Sequence, residues 1–305
     1  MDTLRCMHLY VRAVELGSLS AVAREQASTQ PTISKAMTAL EKQLGVRLLE
    51  RSTTRLAPTT QGQRFYERAK RVLEEFNEAV ADARGQTETP AGLLRVNAPV
   101  ALGQFRLASL VRDFLTLYPE IEVELILNDR LVDLVEEGVD VALRLSATLP
   151  PDAVAREVAQ SARWLVAAPD YLARHPRLRK PEDLAHHDYI RFAWLASGDE
   201  VELGNGKRSV TVATHGRYRV NNALAIRDAL AGGAGVGLCP AWLVHDLLAS
   251  GQLQRVLPQW QGSAQELYLL APSRRYQPLR ARLFMEFIAA GLSTLPGFAA
   301  PDKVG

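Results

Sequence analysis

Residues 17–55, GSLSAVAREQASTQPTISKAMTALEKQLGVRLLERSTTR, hold two short apolar stripes separated by a polar break. Leu19, Val22 and Ala23 suit one helix, and Ile33, Met37, Leu40 and Leu44 suit a second, each at the three-and-four spacing of a buried face. A turn must lie between them. Ser28 or Thr29 is placed to accept hydrogen bonds from the free amides of the second helix, and Pro31 lacks the amide that a first turn would leave unpaired. The second helix is therefore expected to begin near Gln30. Gly45 closes it, and residues 47–57 read as a short hairpin carrying Arg47, Arg51 and Arg55.

Two short helices joined by a tight turn, with small polar side chains opening the second and a basic hairpin behind it, form the pattern of a winged helix-turn-helix. Gln30, Pro31, Thr32, Ser34 and Lys35, together with Ser20 of the helix before, are the candidates to reach base edges and nearby phosphates. Arg51 and Arg55 are the candidates to neutralise phosphate. The charge agrees: the chain carries a formal net +2, but residues 1–66 hold nine Lys and Arg against five Asp and Glu, so the basic excess lies at this end.

The 305 residues, 47% apolar and 23% charged, are enough for two or three domains with real cores. Cys6 and Cys239 are isolated thiols, too few for a disulfide framework and without metal-ligand spacing, which points to a reducing compartment. The N-terminus lacks an apolar signal core, and no apolar run approaches the ~20 residues that a bilayer span needs. The expectation is a cytoplasmic protein with no membrane partner.

Residues 4–16 read as an amphipathic helix supporting the reader. Between Thr60 and Gly85 the chain reads as one long helix, in which Phe65, Ala69, Val72 and Phe76 step by four, three and four. That spacing is a coiled-coil seam, and the seam is expected to pair with a second copy of the chain. Residues 86–92, QTETPAG, have the composition of a hinge. Beyond it, apolar runs suitable for strands (93–98, 121–127, 139–145) alternate with helical patterns (104–118, 131–137), which implies βαβ units and parallel pairing. A second set of such elements follows between about 163 and 256, then a strand at 266–270 and a last helix at 279–290. Two α/β lobes facing a cleft result. The glycines at 232, 233, 235 and 237 follow a helix and lead into a strand, the reverse of a nucleotide fingerprint, and read as turn glycines allowing close chain approach.

The pieces Gly17-Ser18, Ser20-Ala21, Ala23-Arg24, Gln30-Pro31, Ser34, Leu40-Glu41, Leu44-Gly45, Arg51, Thr59 and Gly62 stand in the order and spacing of the LysR-type transcriptional regulators, which this chain resembles. The later stretches YPEIEVEL, LVDLVEEGVDVALRL and VNNALAIRDALAGGAGVGLCP continue the likeness. The resemblance implies an α/β protein: an N-terminal all-α winged helix-turn-helix with a long linker helix, then a two-lobed, periplasmic-binding-protein-like effector domain. The expected divisions are 1–59 for DNA binding, 60–85 for the linker and dimerisation helix, 86–92 for the hinge and 93–292 for the effector domain. Within the last, lobe I comprises 93–160 and 265–292 and lobe II 161–264, and 293–305 is expected to be a flexible tail. The partners so implied are double-stranded DNA, a small-molecule effector, a second copy through the linker helix, a homotetramer and RNA polymerase. No cofactor and no metal is expected.

A ligand between two such lobes meets strand C-termini and helix N-termini, where free amides favour anions. Those places hold Pro99, Val100, Ala101, Asn128, Ser146, Phe192, Trp194, Asn222 and Cys239. The helix beginning near Gly103 would offer amides to an organic acid, Asp129 would oppose it, and Arg144 and Arg191 are not assigned to the cleft. His186, His187 and Asp188 are adjacent and do not converge as metal ligands. No nucleophile elbow or supported acid pair occurs, so the rival reading, a non-regulatory binding protein or enzyme on the same two lobes, lacks a catalytic cluster.

Overall fold

The computed structural model describes residues 2–51, 56–83, 89–130, 133–145, 149, 153–193, 198–272 and 277–301. The chain divides into two compact units, Met1–Thr89 and Pro90–Gly305.

In the first unit, α1 (Thr3–Leu16), α2 (Leu19–Glu25) and α3 (Gln30–Leu44) enclose a core of Leu9, Tyr10, Val22, Ile33, Met37 and Leu40. Each helix end has a local cause. Asp2 accepts from the Arg5 amide and Ser18 from the Ala21 amide, while Gly17 and Gly45 take the left-handed conformation that ends α1 and α3. Thr29 is the N-cap of α3, but its side chain caps nothing: its hydroxyl lies 2.8 Å from that of Thr32. The expected side-chain cap is replaced by a bond between two hydroxyls.

The wing is a hairpin of β1 (Leu49–Arg51) and β2 (Leu56–Pro58), with Arg51 opposite Leu56. The Glu41 carboxylate of α3 accepts from the amides of Leu48 (2.8 Å) and Leu49 (3.1 Å), and the Thr59 hydroxyl donates to Arg47 O (2.8 Å) and accepts from the Gly62 amide (2.9 Å). Gly62, in the first turn of α4 (Thr60–Ala83), lies so close to Leu48 that a Cβ there would overlap the Leu48 carbonyl.

The expected seam of α4 divides in two. Ala69 is buried and Phe65 half-buried, with the Phe65 ring 5.5 Å from that of Tyr10 on α1, so both already have neighbours within their own chain. The reason is reach: α1 lies beside the first turns of α4, and Val72 and Phe76, further along, stay 42% and 47% exposed.

In the second unit one nine-stranded sheet runs in the order β11-β6-β13-β5-β3-β4 along its main path. Strands β3 (Gly92–Ala98), β4 (Ile121–Leu127) and β5 (Val141–Arg144) are parallel, as alternation with helices requires. The next two are not. β6 (Ala153–Ala167) and β13 (Gln261–Pro272) are long and mutually antiparallel, because the chain passes from one lobe to the other on β6 and returns on β13.

The first helix after β3 starts earlier than expected, running through α5 (Val100–Leu102), a π-helical turn (Gly103–Leu107) and α6 (Ala108–Leu117). Of the helix expected over 131–137, residues 131–132 lie outside the described residues and 134–138 are turns, with the Asp133 carboxylate accepting from the amides of Val135 and Glu136 (2.8 and 2.9 Å). The second lobe carries α7 (Pro169–Arg174), β7 (Arg191–Phe192), β10 (Arg219–Val220), α8 (Ala223–Ala231), β11 (Val236–Pro240), α9 (Ala241–Ala249) and β12 (Gln254–Arg255). Sequence reading missed the hairpin of β8 (Glu200–Gly204) and β9 (Ser209–Ala213), although Asn205-Gly206 between them is a strong hairpin signal. Gly235 passes so near Asp188 O that only hydrogen fits, as the turn-glycine reading expects.

The segment expected to be a flexible tail is docked through Ala299, and the described chain ends at Pro301. After α10 (Leu279–Leu292), Gln160 and Ala299 exchange backbone bonds (2.9 and 2.8 Å), Ser161 Oγ donates to Gly297 O (2.7 Å), and the Phe298 ring stacks on Trp242 at 5.8 Å. Polar and Gly/Pro composition does not reveal a partner surface 136 residues away in sequence. Gly297 has φ +85°, and a Cβ there would overlap the Trp242 backbone; Gly251 has φ +74° and open space around it. Gly251→Ala should therefore cost about 1 kcal/mol of left-handed strain. Gly297→Ala should cost about 1–3 kcal/mol more from overpacking, which differential scanning of the two variants will register as separate shifts in melting temperature.

Candidate functional site

The reader is built from the N-terminal half of α3. Gln30, Pro31, Thr32 and Lys35 are exposed there, as is Ser20 on α2, while Ser34 is half-buried beside the core. Arg51 closes β1; Arg55 lies outside the described residues. Acidic side chains near α1 are engaged by cations: Arg12 bonds Glu15 and Glu25, which holds the Glu25 carboxyl below its ordinary value, and Lys70 lies 3.8 Å from Glu15. The turn before α3 places Ala27 at φ +47°, a left-handed position without glycine's freedom.

In the second unit a cavity of about 900 Å³ opens at the C-terminal ends of β3, β4 and β5 and extends along β6, β11 and β13. This is within the range of small-molecule sites. Of the residues expected there, Pro99, Ala101, Asn128, Phe192 and Cys239 line it. Ser146 and Trp194 lie outside the described residues. Val100 and Asn222 do not line it, and each has another task. The Val100 amide donates to Asp129 Oδ1 (3.1 Å), and Asn222 caps α8 by accepting from Leu224 and Ala225 (3.0 and 3.1 Å). The amide expected to greet an anion is thus already bound by the chain's own carboxylate, whose pKa burial raises despite that bond.

The cavity's cations were not foreseen. Arg144, Arg163 and Arg191 all line it, along with the exposed Arg130. Arg144, on the last residue of β5, is only 5% exposed; Nη1 donates to Asn97 Oδ1 (2.5 Å) and Leu143 O (3.1 Å), and Nη2 has no partner among the described residues. Desolvation pulls its pKa down, and none of the described carboxylates forms an ion pair with it. Arg191 by contrast is held by Asp199, Gly198 O and Thr214 O. The signal was available: a charged residue inside VALRL, an otherwise apolar strand, must find a reason to be buried. Trp242 and Gln265 also line the cavity and are bonded to one another, indole Nε1 to Oε1 at 3.0 Å. Cys239 is buried and its thiol pushed up to about 12 by desolvation, so it serves as wall and not as nucleophile. His187 is a core residue, its Nδ1 3.2 Å from the Tyr171 hydroxyl.

Family models match both units: the bacterial regulatory helix-turn-helix of the LysR family over residues 4–63, and the LysR substrate binding domain over residues 87–293. The chain is a LysR-type transcriptional regulator. It is 32% identical over 298 residues to the HTH-type transcriptional regulator PtxR of Pseudomonas aeruginosa, covering 97% of this chain and 96% of that one. Among solved structures it resembles CrgA, a LysR-type transcriptional regulator from Neisseria meningitidis (27% identity, TM-score 0.62, 95% and 99% covered). It also resembles the full-length Vibrio cholerae virulence activator AphB (27% identity, TM-score 0.60, 94% and 98% covered).

The regulator is therefore a sequence-specific DNA-binding protein that responds to a small molecule, and not an enzyme. Among its described residues no helix is long and apolar enough to cross a membrane. Its helix-turn-helix should gain stability from Ala27→Gly, because the strain removed at φ +47° (about 1–2 kcal/mol) exceeds the added unfolded-state entropy (about 0.4–1 kcal/mol). Urea unfolding of the variant should move to higher midpoint with operator affinity retained.

Proposed function

We propose that the regulator's effector is a small organic anion that binds in the cavity with its acid group at Arg144. The supporting observation is the buried guanidinium whose Nη2 has no partner among the described residues, at the end of β5 and lining the cavity. Burying a charge without a counter-charge is costly, and an incoming carboxylate would relieve that cost by a charge-assisted bond. Pro99, Val100, Ala101, Asn128, Ser146, Phe192, Trp194, Asn222 and Cys239 then divide between contact and support: Phe192 and Cys239 give apolar wall, while Asn222 holds α8 in place.

DNA is read by Gln30, Pro31, Thr32, Ser34 and Lys35 of α3, with Ser20 beside them and Arg51 and Arg55 on the wing. Exposure of Gln30, Thr32 and Lys35 on one helix end supports this division. Val72 and Phe76, left uncovered on α4, join a second copy of the chain; Phe65 and Ala69 act in that interface only by fixing α4 to α1. Two such dimers form a tetramer that acts in the cytoplasm on RNA polymerase.

Three measurements test these assignments. Carboxylic acids should raise the melting temperature where their neutral amides do not, and Arg144→Gln should weaken the acid by about ten- to a hundredfold, the worth of a hydrogen bond to a charged group. An amide that binds as tightly as its acid refutes the anion. Lys35→Ala should weaken operator binding and lower the salt slope by about one unit. Sedimentation of the Val72→Glu, Phe76→Glu double variant should show smaller assemblies, and unchanged assembly would remove α4 from the interface.

A further inference from the structure

We infer that the π-helical turn of residues 103–107 is a clasp between the two lobes, in which Phe105 and Arg106 of the first lobe grip α8 and α9 of the second and hold the cavity's walls together. The clasp is made of contacts within the folded chain and stands whether or not the effector is an anion.

The grip has two parts. Arg227 of α8 lays its guanidinium over the Phe105 ring, 4.8 Å from the centroid. That cation is fixed within the second lobe: Nη1 donates to Asp246 Oδ1 (2.7 Å) and Leu243 O (2.5 Å), and Nη2 donates to Asp246 Oδ2 (2.5 Å). It cannot follow the ring if the lobes part. Arg106, next in the chain, reaches α9 directly, its Nη2 donating to Trp242 O at 2.7 Å. Each contact joins a side chain of the first lobe to a held group of the second, so neither survives a separation of the lobes at this point.

The gripped residues are also cavity wall. Trp242 and Leu243, which accept the bonds of the two arginines, line it from the second lobe with Ile226, and Pro99 and Ala101, just before the turn, line it from the first. The turn itself is seated tightly on its own lobe, since a Cβ at Gly103 would overlap the Leu127 side chain. Turns of this π-helical kind are scarce and gather at functional sites. The tail braces Trp242 from another side through Phe298, but it is bound to β6 and not to the turn, so changes at 105 and 106 leave it in place.

The grip is made against a cost. Arg106 is half-buried, and its Nε has no partner among the described residues. Burial pulls its pKa down, Asp246 pushes it up, and the neighbouring Arg227 pulls it down again. A contact that holds an unmet donor beside a like charge is released by a modest difference in ligand affinity between closed and open lobes.

Cys239 reports on the clasp, because it lines the cavity at 1% exposure and alkylation requires the wall to part. The full-length regulator is treated with N-ethylmaleimide at fixed pH, and labelling of Cys239 and Cys6 is followed by peptide mass spectrometry. Cys6, buried in the first unit, registers wider unfolding. Phe105→Ala combined with Arg106→Gln should speed Cys239 labelling about tenfold or more with Cys6 unchanged, the effect of losing a charge-assisted bond and a cation–π contact. Phe105→Leu keeps apolar bulk and loses the ring face; it should speed labelling about two- to fivefold, and it carries the test if the double variant does not fold. Arg208→Ala, which takes a guanidinium off the Trp260 ring within the second lobe (5.2 Å), should leave Cys239 unchanged. Wild-type labelling of Cys239 in the Phe105 variants overturns the clasp. Equal acceleration by Arg208→Ala, or Cys6 accelerating in step with Cys239, also overturns it, because the loosening would then not be specific to the turn.

Discussion

The second unit depends on the antiparallel pairing of β6 with β13. Every strand of the large sheet is tied to this pair directly or through one neighbour, except β4, which joins at the edge through β3. β5 registers on β13, β11 and β12 on β6, and β8 meets β13 at Gln261. Because these two strands carry the chain between lobes, they also form the floor of the cavity, contributing Arg163, Ser263, Gln265 and Glu266. A change in the angle between the lobes must twist or slide this ladder, so strand geometry and ligand geometry are mechanically linked.

The end of the chain is fastened to the same floor. Gln160 and Ser161 of β6 hold residues 297–299 by backbone and hydroxyl bonds, and Trp242, stacked by Phe298, donates to Gln265 in the cavity wall. Ser161 Oγ also accepts from the Trp242 amide (3.3 Å), and Arg106 donates to the Trp242 carbonyl (2.7 Å). The Trp242 indole is thereby held by Phe298 and Gln265, and its backbone by Ser161 and Arg106, before any ligand arrives. Preorganised walls of this kind reduce the ordering cost of binding.

In the first unit the corresponding constraint is close approach at Gly62, where the start of α4 meets the Leu48 carbonyl. Glu41, Thr59 and Gly62 all converge on residues 47–49, so the wing is fixed to α3 and α4 by side-chain-to-backbone hydrogen bonds and not by apolar packing alone. That explains why a short hairpin, marginal by itself, stands in a defined place beside the reader.

Sequence by itself determined the local elements. The three-and-four stripes, Ser18, Gly17, Gly45 and Pro31 set the helices of the reader to within a residue or two, and Asn222 with the following stripe set α8, because caps and periodicity act over a single turn. Tertiary structure alone decided what those elements face. Phe65 and Ala69 share a stripe with Val72 and Phe76, yet α1 covers only the first two. Arg144 and Arg163 lie on consecutive strands that do not pair with each other, and it is through β13, which pairs with both strands, that both come to line one cavity. The tail's composition reads as loose because its partners, Gln160, Ser161 and Trp242, are distant in sequence. Periodicity records which side of an element is buried; which neighbour buries it is fixed by long-range pairing, and no local pattern encodes that.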